Sequence, residues 1–265
     1  MNRKATINVS VSSHYHQPSY ASEVATQGIL GEQVSIVDEQ AGFSQVIQED
    51  GYQSWISSDQ LAYGEQPAGE RLQVTSHGLR IRLAPDRQAE TVRDAVIGCR
   101  LIRSGEEDDW YRLTLPDGLT GWAGKHHFGD FAPFSAEAIT ALARAFLGYP
   151  YCWGGRTPKG FDCSGLVQTI FRLHGLLLPR DSWQQHQHCI LGDDHRLARP
   201  GDLLFFGKTP ERVTHVGIAL GEERFIHASG WVRRNSLRPD EADFSPHHRQ
   251  TFISVNRYRP QKETA

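Results

Sequence analysis

The chain has 265 residues, of which 22% are charged, 38% hydrophobic and 10% aromatic, with a formal net charge of −3. Such a chain is a soluble globular protein of two or three domains, and its weak negative charge supplies no field to gather nucleic acid or an anionic membrane. No stretch approaches the roughly 20 apolar residues that cross a bilayer. The first residues, "MNRKATINVSVSSHYHQPSY", carry early basic side chains with no apolar run behind them, so a cytoplasmic location is expected unless a leader precedes the given residues. Four cysteines, Cys99, Cys152, Cys163 and Cys189, do not make a disulfide scaffold in a chain this long, and thiols are expected.

The front half repeats itself at an offset of 67 positions. Gly31, Val34, Phe43, Val46, Gly51, Trp55 and Leu61 fall on Gly98, Leu101, Trp110, Leu113, Gly118, Trp122 and Phe128 without a gap. Self-similarity of this kind marks a duplicated structural unit. In each copy short alternating runs ("QVSIVDE", "FSQVIQ"; "CRLIRSG", "WYRLTLP") are split by Gly- and Asp-rich turns, and "DGYQSW" echoes "DGLTGW". Closely spaced short strands with such turns predict two small β-barrels. Both copies resemble bacterial SH3-like modules, whose pattern of Gly, Trp, Val, Asp-Gly and Gly-Trp they follow. The expected domains are 1–70 and 71–132, with a third over 133–265.

After "DFAPF" the pattern turns helical. Ser135 can cap a helix whose Ile139, Leu142, Ala143, Phe146 and Leu147 share one side until Gly148 ends it. A second helix is predicted over 163–174, with Leu166, Val167, Ile170 and Phe171 on one face and Gly175 as its stop. Beyond "LARPGD", the segments "DLLFFG", "HVGIAL", "RFIHAS" and "FISVNRY" are strand candidates. Helices first and strands later make the class α+β.

Cys163, in "GFDCSG", stands where that second helix begins. Free N–H groups and the positive end of the helix dipole favour a thiolate there, so a lowered thiol pKa and a nucleophilic role are expected. A thiol nucleophile needs an imidazole base. In "THVGIALGEERFIHAS", a hairpin folded about Gly221 places His215 directly opposite His227, with Cβ atoms about 5 Å apart. The pair supplies a base and a group to orient it. Zinc ligation is the rival chemistry. Cys152 and Cys163, however, are too far apart for a short-spaced metal pair, His215 and His227 likewise, and "HQHC" at 186–189 lacks a second half. "GGRTPKG" lacks the arrangement of a phosphate loop.

The run "YCWGGRTPKGFDCSGLVQTIFRLHGLLLPRDSWQQ", followed by "RPGDLLFF", "THVGIAL" and "FIHASG", resembles the NlpC/p60-type cysteine peptidases, papain-like enzymes that cut bacterial cell-wall peptides. The resemblance implies a papain-like catalytic domain preceded by two SH3-like β-barrels, with Cys163, His215 and His227 as catalytic triad and Tyr151 beside the oxyanion. It also implies substrate-binding roles for Asp162, Ser164, Asp181 and Ser182. By the same resemblance Tyr52 and Glu23 of the first module would meet the substrate's amine. The implied reaction is hydrolysis of the γ-D-glutamyl-L-diamino-acid bond in murein peptides with a free N-terminal L-alanine, in peptide recycling, by a monomer without cofactor or metal. Secreted wall remodelling, an amidase or acyltransferase using the same thiol, and a non-catalytic wall-peptide-binding protein are the alternatives.

Overall fold

The 67-residue repeat reappears as geometry. The computed structural model describes residues 3–64, 66, 68–187 and 190–258, and the chain divides into two units, Met1–Phe131 and Ala132–Ala265. In the first, strands Val11–Tyr15, Val24–Ile29, Gln33–Gln40, Phe43–Ile47 and Gln53–Ser57 are followed 67 residues later by Gly78–Arg82, Thr91–Val96, Arg100–Glu107, Trp110–Thr114 and Thr120–Gly124. The turns match as well. Gly31 and Gly98 have φ of 86° and 89°, Gly51 and Gly118 have 81° and 85°, a region open to glycine at little cost. The repeated glycines are therefore turn residues.

Each copy forms its own antiparallel sheet, one of seven strands and one of six. Alternation along the strands sends Ala5, Ile7, Val34, Ile36, Val46, Ile56 and Leu61 into one apolar cluster. The second cluster is built on Leu79, Ile81, Leu101, Leu113 and Leu115, and it also takes in Ile29 and Leu30 of the first copy. Polar bonds join the same two copies: Arg93 donates to Asn8 Oδ1 at 2.6 Å, Asn8 Nδ2 donates to Asp117 at 3.1 Å, and Ser10 Oγ donates to Asp94 at 2.9 Å.

In the second unit Ser135 Oγ accepts from the Ala138 N–H at 3.1 Å and opens helix α1, Ala136–Ala145. Ile139, Ala143 and Phe146 are buried as the spacing predicts. Leu147 is exposed, because the helix ends at Ala145 and the chain turns at Gly148 with φ 88°. Helix α2 runs Cys163–Leu173 and buries Leu166, Val167, Ile170 and Phe171. Its first turn lies so close to the preceding loop that a Cβ on Gly165 would stand 2.1 Å from the Gly155 carbonyl oxygen. Only glycine permits that approach. Two short helices follow, α3 at Ser182–His186 and α4 at Pro246–Thr251.

Six strands form the sheet: β1 Ile190–Gly192, β2 Leu203–Gly207, β3 Val213–Gly221, β4 Arg224–Ser229, β5 Trp231–Ser236 and β6 Phe252–Asn256. Their order is β1-β6-β2-β3-β4-β5, with every pair antiparallel. Helix α2 packs on β3 and β4, which sets its N-terminus against the histidine strands and makes the unit a papain-like α+β domain. The β3–β4 register differs from the one expected. Ile218 pairs with Ile226 and Ala219 with Phe225, Gly221 sits at a bulge, and the turn falls on Glu222 and Glu223 at φ 52° and 60°. The pairing slips by two residues, which keeps every side chain on its face. His227 therefore stands opposite Gly217, whose built Cβ would lie 3.3 Å from that of His227, and His215 becomes its diagonal neighbour. Among the described residues no helix is long and apolar enough to cross a membrane.

Candidate active site

Asp162 Oδ1 accepts from the Gly165 N–H at 2.6 Å, capping α2 so that Cys163 is its first helical residue. The N–H of a first-turn residue has no intrahelical acceptor and points outward, along the positive end of the dipole. The thiol itself departs from the expectation. Burial, with the Asp162 charge behind it, pushes Cys163 up to about 12, against the opposing pull of the Val216 and Ser164 N–H groups and of Arg180. The helix terminus is outweighed by desolvation, and Cys163 rests as a neutral thiol. The Val216 N–H that acts on the thiol belongs to β3 and follows His215 directly in the chain.

His215 is held well below the usual imidazole range by burial and then by its neighbours His227 and His248. His227 is lowered to about 3, chiefly by burial. Both rings are thus neutral, and their tautomers follow from the hydrogen bonds. Asn235 Nδ2 donates to the Asp243 carbonyl at 2.8 Å, which turns Asn235 Oδ1 toward His227 Nε2 at 2.9 Å. A carbonyl oxygen only accepts, so His227 carries its proton on Nε2 and leaves Nδ1 bare. His227 Nδ1 lies 2.7 Å from His215 Nε2, which must then be the donor. The free lone pair of His215 is on Nδ1. A relay of two diagonal steps across β3, β4 and β5 therefore leaves His215 Nδ1 as a bare lone pair able to accept a proton.

Tyr151 is half-buried, bridges to Phe161 beside the start of α2, and donates its N–H to the Gly230 carbonyl at 3.1 Å. Burial and then the neighbouring Cys163 push its phenol up to about 12, so it stays a protonated donor. Asp162 and Ser164 are committed within the protein. Buried Arg180 donates to Asp162 Oδ1 at 3.2 Å, to Asp162 Oδ2 at 2.5 Å and to Ser164 Oγ at 3.0 Å. Both residues thus anchor the start of α2 through a charge the sequence reading missed. Asp181 opens α3 in a capping box, its N–H donating to Gln184 Oε1 at 3.1 Å, and Ser182 is buried. Gln185 of α3 donates to the Ser164 carbonyl at 3.2 Å, which ties these residues to the nucleophile's helix.

Tyr52 and Glu23 lie in the first unit. Tyr52 is half-buried in the turn that it closes with Gln48, and exposed Glu23 accepts through its carbonyl from the His16 N–H at 3.2 Å. Cys152 is an exposed free thiol, and its Sγ donates to the Trp153 carbonyl at 3.7 Å. In the "HQHC" segment, His186 packs on Phe205, whereas His188 and Cys189 lie outside the described residues.

A thiol at a helix start and a strand imidazole whose tautomer a polar chain fixes are the parts of which papain-like cysteine peptidase domains are built. Residues 148–251 match the NlpC/P60 family and residues 15–61 the bacterial dipeptidyl-peptidase Sh3 domain, so the chain carries an NlpC/P60 catalytic domain behind an SH3-like region. It is 28% identical over 260 residues to a gamma-D-glutamyl-L-lysine dipeptidyl-peptidase of Bacillus cereus, covering 91% of this chain and 77% of that protein. A dipeptidyl-peptidase 6 of Lysinibacillus sphaericus is 24% identical, with 81% and 83% covered. The crystal structure of an NlpC/P60 family protein from Bacillus cereus superposes with a TM-score of 0.84 at 24% identity, over 97% of this chain and 100% of that one. That structure speaks for the fold.

Proposed function

We propose that the protein is a cysteine endopeptidase that hydrolyses the bond between γ-linked D-glutamate and the diamino acid in murein peptides with a free N-terminal L-alanine, in the recycling of those peptides. The carrying observation is the His215–His227–Asn235 chain, which leaves one bare lone pair on a strand whose next residue, Val216, acts on the Cys163 thiol. The specificity is taken from the Bacillus cereus dipeptidyl-peptidase, which resembles this chain along most of both lengths.

In this reading Cys163 Sγ attacks the scissile carbonyl as its proton passes to His215 Nδ1, a concerted step that suits a neutral thiol beside a neutral imidazole. The Cys163 N–H and the Tyr151 hydroxyl receive the developing oxyanion. His215 then returns the proton to the departing amine, and water cleaves the acyl-enzyme by the same base. Asp181 and Ser182 of α3 are assigned to the substrate's polar ends. For Tyr52 and Glu23 the support is the family resemblance, and the test is a loss of preference for free over acetylated N-termini in Tyr52→Phe and Glu23→Gln.

The experiment is turnover of L-Ala-γ-D-Glu-L-Lys and its diaminopimelate counterpart against intact sacculi. Cys163→Ala and His215→Ala are expected to lose about a thousandfold or more in kcat while folding normally. Near-normal turnover by Cys163→Ala would overturn the mechanism, and equal rates on sacculi would overturn the recycling role.

A further inference from the structure

His248 takes no part in the mechanism above, yet it belongs to the same cluster. Its ring centroid lies 5.2 Å from that of His215 and 4.6 Å from that of His227. One ligating atom from each of the three histidines falls within 4.8 Å of the other two. They come from separate elements, β3, β4 and α4, with α4 fixed by Ser245 at its cap and Pro246 in its first turn. No short sequence spacing could have announced them.

The nitrogens facing away from the cluster already have partners. His227 Nε2 donates to Asn235 Oδ1, and His248 Nδ1 meets Ser245 Oγ at 2.6 Å. His227 and His248 therefore each have an outer anchor, which is how ligating histidines are held, and one nitrogen of each of the three rings lies within 4.8 Å of the other two. A tetrahedral zinc ion with Zn–N of 2.0–2.1 Å needs nitrogens about 3.3 Å apart. The His215–His227 contact at 2.7 Å would open slightly and His248 would move inward. Three imidazoles without a carboxylate in the group suit Zn²⁺ or Cu²⁺ and disfavour Mg²⁺ or Ca²⁺. Arg233 acts electrostatically on all three rings and weakens the site for any cation.

We propose that His215, His227 and His248 form a binding site for a transition-metal dication, zinc foremost, and that its occupation switches the peptidase off. Ligation through His215 Nε2 requires that the proton there move to Nδ1. The ring then presents an N–H to Cys163 where a lone pair is needed, so the thiol has no base. The proton only changes nitrogen within one neutral imidazole, so the ring keeps its charge and no proton is released. The inhibitory half rests on the peptidase reading; the binding half does not.

The test is calorimetric titration of zinc into metal-free protein, with cobalt absorption reporting the ligand field. Wild type and Cys163→Ala are expected to bind one ion with the same affinity, and His248→Gln about tenfold or more weakly. His247→Gln, changed at the exposed neighbour, is expected to bind as wild type does, and circular dichroism checks that each variant is folded. If His248→Gln does not fold, His227→Gln makes the same comparison. In the peptide assay the zinc concentration that halves turnover should match the binding midpoint and rise about tenfold in His248→Gln, with reversal by chelator. Undiminished binding by His248→Gln, or binding lost in Cys163→Ala, refutes the three-histidine site. Zinc bound at that site without loss of turnover refutes the switch alone, and a chain with no peptidase activity leaves the binding isotherms to decide the site.

Discussion

Asn235→Ala isolates the end of the relay. His227 is fully buried, and the acceptor 2.9 Å from its Nε2–H would vanish. Leaving that N–H unpaired costs about 1–3 kcal/mol. The same energy now favours the reversed arrangement, in which His227 Nδ1–H donates to His215 Nε2 and the proton of His215 moves to Nδ1, where it faces the thiol. The productive fraction falls accordingly, so kcat drops by about 5- to 150-fold. KM is expected to hold, since Asn235 acts through His227, with its amide bonded to the Asp243 carbonyl. Asn235→Asp keeps an acceptor for Nε2–H and should retain more kcat than the alanine variant. Steady-state kinetics supply the numbers, and ¹⁵N shifts of the histidine rings report the tautomers directly. A kcat within twofold of wild type for Asn235→Ala, with the His227 tautomer unchanged, would refute the relay.

The same buried ring makes stability depend on acid. His227 is lowered to about 3 in the fold against 6.5 for a free imidazole, so the unfolded chain binds the extra proton and stability rises with pH. Its contribution is complete above pH 6.5 and is lost as pH falls toward 3, at most about 5 kcal/mol. Urea midpoints measured across that window should flatten in His227→Gln. Arg180→Met strands the Asp162 carboxylate, which is nearly buried in its pair, and breaking such a pair costs about 3–5 kcal/mol. The melting temperature should fall sharply, and the Cys163 alkylation rate should change because the cap of α2 is loosened. A melt within a degree of wild type contradicts that role.

Much of this was legible because local chemistry and the fold agree. The repeat in the first unit, the Ser135 cap, the Asp162-Cys163 helix start and the shared face of the two histidines all follow from spacing or capping. The hairpin register did not, since Gly221 looked like the turn, whereas Glu222 and Glu223 take the left-handed conformation and Gly221 forms the bulge. The face survived only because the slip was even. Asn235 and His248 had no local signal: each matters through a partner on a different strand or helix, and "WVRRNS" reads as an ordinary strand. The thiol pKa was misjudged because burial depends on what the sheet covers, which no dipole argument contains.

The joint at Ile29 and Leu30 bears on how this region could be exchanged or trimmed. These two residues belong by sequence to the first barrel and by packing to the second, so a cut near residue 70 leaves the second core without part of its filling and exposes apolar surface on the first. The heritable cassette is then the pair, residues 1–131 together, and a recombinant that swaps either barrel alone must bring its own substitute for those two side chains.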